Sequence, residues 1–283
     1  MTAQILSGKE VAADLRKSLQ HKTASLKGKG IEPLLGIIIV GDAAPSQAYV
    51  RGIEKVCTAV GVKTQVNYFS ADEQLELEDR LERLNQDISV HGIIVMRPLP
   101  AGFDEKSLGE KLNAIKDVDC FNPINAGRVM AGDKFAFPPC TPQAVMEILD
   151  YFQIPLQGRR AVVIGRSMVV GRPLAMLLLE KHATVTICHS RTEDMTAVCR
   201  EADILVAAAG KPGLVKGEMI KPGAVVLDVG VNFVGGQMVG DVDFAAVSQL
   251  AGAITPVPGG VGSVTSTVLV KHVVEAAEKL TQG

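Results

Sequence analysis

Apolar and polar positions alternate along this chain in blocks, and the period changes from block to block. "PLLGIIIVG" (33–41) is an almost unbroken apolar run, the pattern of a strand covered on both faces. "HGIIVM" (91–96) is a second strand of this kind. Between them, residues 46–60 and 73–87 have helical spacing, and 62–69 reads as a further strand. Residues 8–27 read as a helix that precedes the series. Periodicity then fades through "MRPLPAGFD" and "DCFNPINAGRVMAGDKFAFPPCTP", which are rich in Pro, Gly and Asn. It returns at Thr141-Pro142, an N-cap with proline at the first helical position, opening a helix to about 152. A second series follows: strand 160–164, helix 171–181, strand 183–187, helix 193–200, and strands 203–208 and 224–228. The last helix spans about 263–280.

Strand and helix in alternation predict parallel sheets covered by helices. The expected fold is α/β, with two domains around a cleft, the second a Rossmann-like parallel sheet with helices on both faces. The expected first domain is residues 1–140, with the terminal helix 264–283 packing back on it, and the second is 141–263. A cleft at such a joint is a common place for a ligand.

The bulk numbers exclude several classes. With 283 residues, 21% charged, 47% hydrophobic and a net charge of −2, this is a globular composition without a basic arm for nucleic acid. No apolar run reaches the ~20 residues that span a bilayer, so no membrane partner is expected. The five cysteines (Cys57, Cys120, Cys140, Cys188 and Cys199) form no CxxC pair. Neither a metal site nor a disulfide framework is expected, and a reducing cytoplasm fits.

The most informative block is "RRAVVIGRSMVVGRPLAMLLLEKHATVTICHSRT" (159–192). A strand runs into Gly165, and Gly171 opens an amphipathic helix. The spacing is GxxxxxG rather than GxGxxG, but the physics is shared: a tight turn aims backbone N–H groups and a helix N-terminus at a pyrophosphate. An NAD site usually has Asp or Glu at the end of the second strand. Here that end reads His189-Ser190-Arg191-Thr192, and Arg166 adds a second cation. Arginine matches phosphate oxygens, so a 2′-phosphate, and hence NADP over NAD, is expected. In "ITPVPGGVGSVTS" (254–266), Gly259-Gly260 allows a flat ligand close to the backbone. Tyr49, taken by itself, reads as a core residue with a bonded hydroxyl.

"SQAYV", "KDVDCFNPINAGR", "PPCTPQAV", "VVIGRSMVVGRPLAMLL", "TVTICHSRT", "ADILVAAAGKP", "GAVVLDVGVN", "VGDVDF" and "ITPVPGGVG" together resemble the methylenetetrahydrofolate dehydrogenase/cyclohydrolase family over essentially the whole chain. The resemblance implies a homodimer that binds NADP on the second domain and a tetrahydrofolate derivative in the cleft. It implies two steps. Hydride passes from 5,10-methylenetetrahydrofolate to the nicotinamide, and water then opens the methenyl product to 10-formyltetrahydrofolate. By the same resemblance, Gly165-Arg166-Ser167 is the phosphate loop, Ser190 a contact near the 2′-phosphate and Val231 a backbone position beside the nicotinamide; Gly171 and Arg191 join them from the spacing and charge given above. Asp119 grips the pterin's amino edge and Tyr49 packs beside the folate, both as catalytic and substrate-binding residues. Ile53, Met96, Pro258, Gly259 and Gly260 complete the substrate site.

The chain departs from the family at two linked positions. The family places lysine four residues after the tyrosine, in "YVxxKxKxC"; this chain has Ile53, and Cys57 holds the register. The family reads "VQLPLP"; this chain reads "VMRPLP", with Met96 in place of the glutamine. Lys55 faces roughly 120° away from Tyr49 on a helix and is no substitute. Hydride transfer needs little proton movement, whereas cyclohydrolysis must activate water. The expected activity is therefore a dehydrogenase with weak or absent cyclohydrolase. The alternatives are a fully bifunctional enzyme, an oxidoreductase on another one-carbon carrier, and a non-catalytic folate- or nucleotide-binding paralogue. Cys120, Met168 and Ser263-Val264 are smaller departures from the family pattern.

Overall fold

A computed structural model describes residues 2–280. The chain begins with β1 (Gln4–Ile5) and α1 (Gly8–Gly28), then β2 (Leu34–Val40), α2 (Ala44–Val60), β3 (Lys63–Phe69), α3 (Gln74–Gln86) and β4 (Gly92–Val95). Two short helices follow, α4 (Glu105–Lys111) and α5 (Pro123–Met130), and then α6 (Cys140–Tyr151). The second series is β5 (Arg160–Ile164), α7 (Gly171–Glu180), β6 (Thr184–Cys188), α8 (Met195–Arg200), β7 (Ile204–Ala207) and β8 (Val225–Asp228). A hairpin of β9 (Asn232–Val234) and β10 (Gln237–Val239), then α9 (Phe244–Val247), β11 (Ala253–Ile254) and α10 (Gly262–Leu280), complete it.

The fold is α/β with two compact units. Among the described residues, one comprises 2–13 and Thr141–Thr265; the other comprises Asp14–Cys140 and 266–280. The expected first domain began at residue 1, and the structure corrects that boundary. Ala3, Gln4 and Leu6 donate their amides to Ser248, Gly252 and Ile254 at 2.8–3.0 Å, so β1 is a parallel edge of the sheet that holds β11.

The smaller sheet runs β3-β2-β4, all parallel. The run read as a buried strand is one: Leu35 and Ile37–Ile39 are fully buried. Leu77, Leu81 and Leu84 recur at i, i+4 and i+7 on α3 and bury one stripe against Ile38, Val90 and Ile93. Each such leucine contributes roughly 1.5–3 kcal/mol by leaving water. Helices α4 and α5 lie where no periodicity was visible. Seven and eight residues are too few for a clear repeat, and caps define them instead. Asp104 accepts from Ser107 N at 3.0 Å, and Asn122 accepts from Ile124 N at 2.8 Å ahead of Pro123.

The larger sheet runs β1-β11-β8-β7-β5-β6 and is also parallel throughout. Its core packs Val162, Ile164, Leu205, Val226 and Ile254 with Cys188 and Cys199. In both sheets the strand order reverses. β2 has β3 on one side and β4 on the other, and β5 is flanked by β6 and β7. Such reversals open a crevice at the carboxyl ends of the strands, where ligands of open α/β sheets bind.

Candidate active site

In the smaller sheet the reversal point lies between β2 and β4. Met96 extends β4 by donating its amide to Ile38 O at 2.9 Å, and Arg97 follows directly. Arg97 is fixed on two sides. Its guanidinium stands 4.7 Å from the Phe121 ring centroid, and Nη2 is 3.6 Å from Asp119 Oδ2. The other Asp119 oxygen accepts from Cys140 N at 2.9 Å. The loop that carries Asp119 is organised by its neighbour Asp117, which is fully buried. Asp117 accepts from Phe121 N, Asn122 N and Asn125 Nδ2 at 2.8–3.0 Å and more weakly from Asp119 N at 3.3 Å. Burial pushes the Asp117 carboxyl up, and these donors oppose the shift.

Tyr49, on α2, reaches the same place. Burial raises its phenol well above the usual value, and nearby Cys140 and Asp119 add to the rise; a hydrogen bond with the Ser266 side chain opposes it. Tyr49 is therefore a neutral hydroxyl at neutral pH. His272 Nδ1 lies 2.9 Å from Val118 O, and Cys140 Sγ lies 3.4 Å from the same oxygen, which pins the residue before Asp119. Ile53, one turn beyond Tyr49, is fully buried (0% exposed), and Met96 is 8% exposed. Cys120, beside Asp119, is held at φ 56°, and burial pushes its thiol up to about 12.

In the larger sheet the reversal point lies between β5 and β7. Gly165 follows β5 at φ +137°, and a Cβ there would overlap the Ala208 carbonyl oxygen. A Cβ on Gly171 would overlap the Gly165 carbonyl oxygen, so the turn closes backbone on backbone. Ser167 Oγ accepts from Val170 N at 3.1 Å, which ties the turn to the start of α7. Arg166 is exposed. The turn after β6 closes on itself: His189 N donates to Thr192 Oγ1 at 2.9 Å and Arg191 N to His189 Nδ1 at 3.1 Å. Ser190 and Arg191 face outward, and neither Arg166 nor Arg191 has a salt bridge among the described residues. Backbone amides without side chains in the way, a helix start and two unpaired cations suit a dinucleotide bearing an extra phosphate. Val231 is 54% exposed after β8.

Pro258, Gly259 and Gly260 form a turn between β11 and α10, with a cis bond before Pro258. Gly8, at the start of α1, packs on the Gly260 carbonyl, which places the Lys9 stem 3.5 Å from where a Gly259 Cβ would stand. Lys9, Arg97 as the partner of Asp119, and Asp117 were not singled out from the sequence. For Asp117 the signal was present, since "DVD" offers two carboxylates and the structure buries the first. Among the described residues, no group of three His, Cys, Asp or Glu side chains could hold a metal, and no helix is long and apolar enough to cross a membrane.

Comparison with known proteins identifies both domain types. Residues 6–119 match the catalytic domain of tetrahydrofolate dehydrogenase/cyclohydrolase, and residues 139–281 match its NAD(P)-binding domain. The bifunctional protein FolD of Moorella thermoacetica is 50% identical over 281 residues, covering 99% of this chain and all of that one. The solved bifunctional FolD dehydrogenase/cyclohydrolase of Campylobacter jejuni superposes with a TM-score of 0.96 at 43% identity, covering 98% and 99% of the two chains. The Trypanosoma brucei methylenetetrahydrofolate dehydrogenase-cyclohydrolase, solved with NADP cofactor and inhibitor, superposes at 0.95 with 38% identity over the full length of both chains. With both domain types matched and half of its residues shared along its whole length, the chain belongs to the tetrahydrofolate dehydrogenase/cyclohydrolase family.

Proposed function

We propose that this protein oxidises 5,10-methylenetetrahydrofolate with NADP to 5,10-methenyltetrahydrofolate, and that its cyclohydrolase activity is weak or absent. The observation that carries the second clause is the burial of Ile53 and Met96. Neither side chain can accept, donate or relay a proton, and both stand where the family resemblance leads one to expect a polar pair.

In this reading Asp119 grips the pterin. A carboxylate offers about four acceptor positions; Cys140 N–H occupies one and Arg97 is an ion-pair partner of the other oxygen, leaving room for the pterin's paired donors. Tyr49 packs beside the folate as a neutral hydroxyl. It can donate a hydrogen bond, and its raised phenol makes it a poor base. The Pro258-Gly259-Gly260 turn admits the flat ring. Gly165, Arg166, Ser167 and Gly171 cradle the pyrophosphate, Ser190 and Arg191 meet the 2′-phosphate, and Val231 lines the nicotinamide end. NADP, when bound, supplies the hydride acceptor. The chain's own task is orientation, because the folate nitrogen's lone pair stabilises the cation formed as hydride leaves. The apolar Ile53 and Met96 side chains keep water from that cation. Arg97 presents only donors, so it is not the base. The working unit in this reading is a homodimer, which sedimentation equilibrium would read against the 29.9 kDa of one chain.

A fully bifunctional enzyme is the second reading, favoured by the bifunctional name of the Moorella relative. Two assays separate the readings. Given methylenetetrahydrofolate and NADP, the protein should form NADPH and methenyltetrahydrofolate together. Given methenyltetrahydrofolate alone, it should leave the compound to decay at its uncatalysed rate; rapid consumption would establish the bifunctional reading. Ile53→Lys combined with Met96→Gln, in a variant shown to be folded, should raise cyclohydrolase by about a hundredfold or more, the lower end of what a positioned proton-transfer group contributes. An unchanged rate in that variant would count against the role given to these positions.

A further inference from the structure

Two buried carboxylates lie beside the cradle without belonging to it. Asp241 is fully buried. Its Oδ2 accepts from Ala209 N at 2.6 Å and Gly210 N at 2.8 Å, and its Oδ1 accepts from Lys211 N at 2.8 Å and Asn232 Nδ2 at 2.9 Å. Three successive amides that converge on one point make an anion site. Here a side chain of the chain itself fills it, so this loop is not available to a cofactor phosphate. Asp228, at the end of β8, holds the main chain around Asp241. It accepts from Gly230 N and Asp241 N at 3.0 Å and from Val242 N at 2.9 Å. The packing leaves no slack: a Cβ on Gly230 would overlap the Asp241 carboxylate, and one on Gly240 would overlap that of Asp228.

The segments tied in this way are particular ones. Residues 209–211 follow β7, directly after Ala208, whose carbonyl closes on Gly165. Gly230 and Asn232 bracket Val231. The two carboxylates therefore fix both backbone segments that follow the central strands β7 and β8, on the side of the reversal point where the nicotinamide half would lie. We propose that Asp241, supported by Asp228, is a positioning residue for hydride transfer, setting the 209–211 and 230–232 backbone against which the nicotinamide is held. The inference rests on the cofactor reading above.

Asp241→Asn tests it. Whichever way the amide turns, its NH2 faces two N–H donors, so the loop must shift. Two probes are titrated against wild type and variant: NADPH, followed by its fluorescence, and adenosine 2′,5′-bisphosphate, which lacks the nicotinamide half. The expected result is NADPH weakened about tenfold or more with the bisphosphate within about twofold, and a fall in kcat while KM for methylenetetrahydrofolate holds. Asn232→Ala removes one of the four donors and should shift NADPH affinity in the same direction by about threefold; it decides the matter if Asp241→Asn does not fold. Parallel weakening of both probes would mean a merely structural role, and no change in either would mean none; each overturns the proposal. If the wild-type protein binds neither probe, the cofactor reading itself fails, and the proposal falls with it.

Discussion

Asp117, Asp119, Asp228 and Asp241 show how little residue type says about role. Asp119 keeps about a quarter of its surface and has acceptor positions to spare for a ligand, whereas Asp117 and Asp241 spend theirs on the chain. Asp228 is buried as well, and its carboxyl bears on stability. Burial pushes its carboxyl from 3.8 to about 6, against three amide donors and with the Asp241 charge adding to the rise. The folded state thus holds this proton more tightly than the unfolded chain. The stabilisation this contributes is complete below the unfolded value near 3.8 and is lost as pH rises through about 6. It amounts to on the order of 2–3 kcal/mol. Carboxyl-carbon NMR should show an Asp228 midpoint near 6, and replacement by Asn should flatten part of the stability difference between pH 4 and pH 7. A midpoint at the ordinary value would show that the three amides offset burial in full.

At the scale of elements, the turn from β5 into α7 is the most constrained. Gly171 has the Gly165 carbonyl against its α-carbon, so Gly171→Ala must open the turn. The variant should lose about 2–4 kcal/mol of stability, and cofactor affinity should fall further than that of a surface control such as Arg172→Ala; thermal melts and NADPH titration read both. An alanine variant with native affinity would show that the cradle tolerates widening. That turn was legible in the sequence because glycine spacing reports backbone contact directly. The long strands and helices were legible too: β5 occupies the expected residues 160–164, and α10 begins one residue before expectation. What stayed hidden has physical reasons. Caps rather than periodicity define α4 and α5. The β9–β10 hairpin is three residues a side around Gly235-Gly236, too short for an alternation to register. Within the candidate site, Arg97 could be noted as a cation near Met96, but its pairing with Asp119 joins residues far apart in the chain, and only the fold brings them to 3.6 Å. The dense bonding of Asp241 was hidden for the same reason.

At the scale of the whole molecule, sequence order and sheet order disagree most at the beginning. Residues through Ala13 group with Thr141–Thr265 rather than with the segment that follows them. Deleting residues 2–7 should therefore weaken the six-stranded unit and spare the three-stranded one. Hydrogen exchange at Ala253 and Thr255, whose amides pair with Ala224 and Val226, should quicken by about tenfold or more, while Ile37–Ile39 keep their protection. Equal loss in both sheets would show that the two units unfold as one. The same arrangement bears on the order of events on the ribosome. β1 is made about 250 residues before its neighbour β11, and at roughly 5–20 residues per second that is a wait of some tens of seconds. The seam between β1 and β11 thus closes late in synthesis, and until then β1 is an unpaired strand open to chaperones.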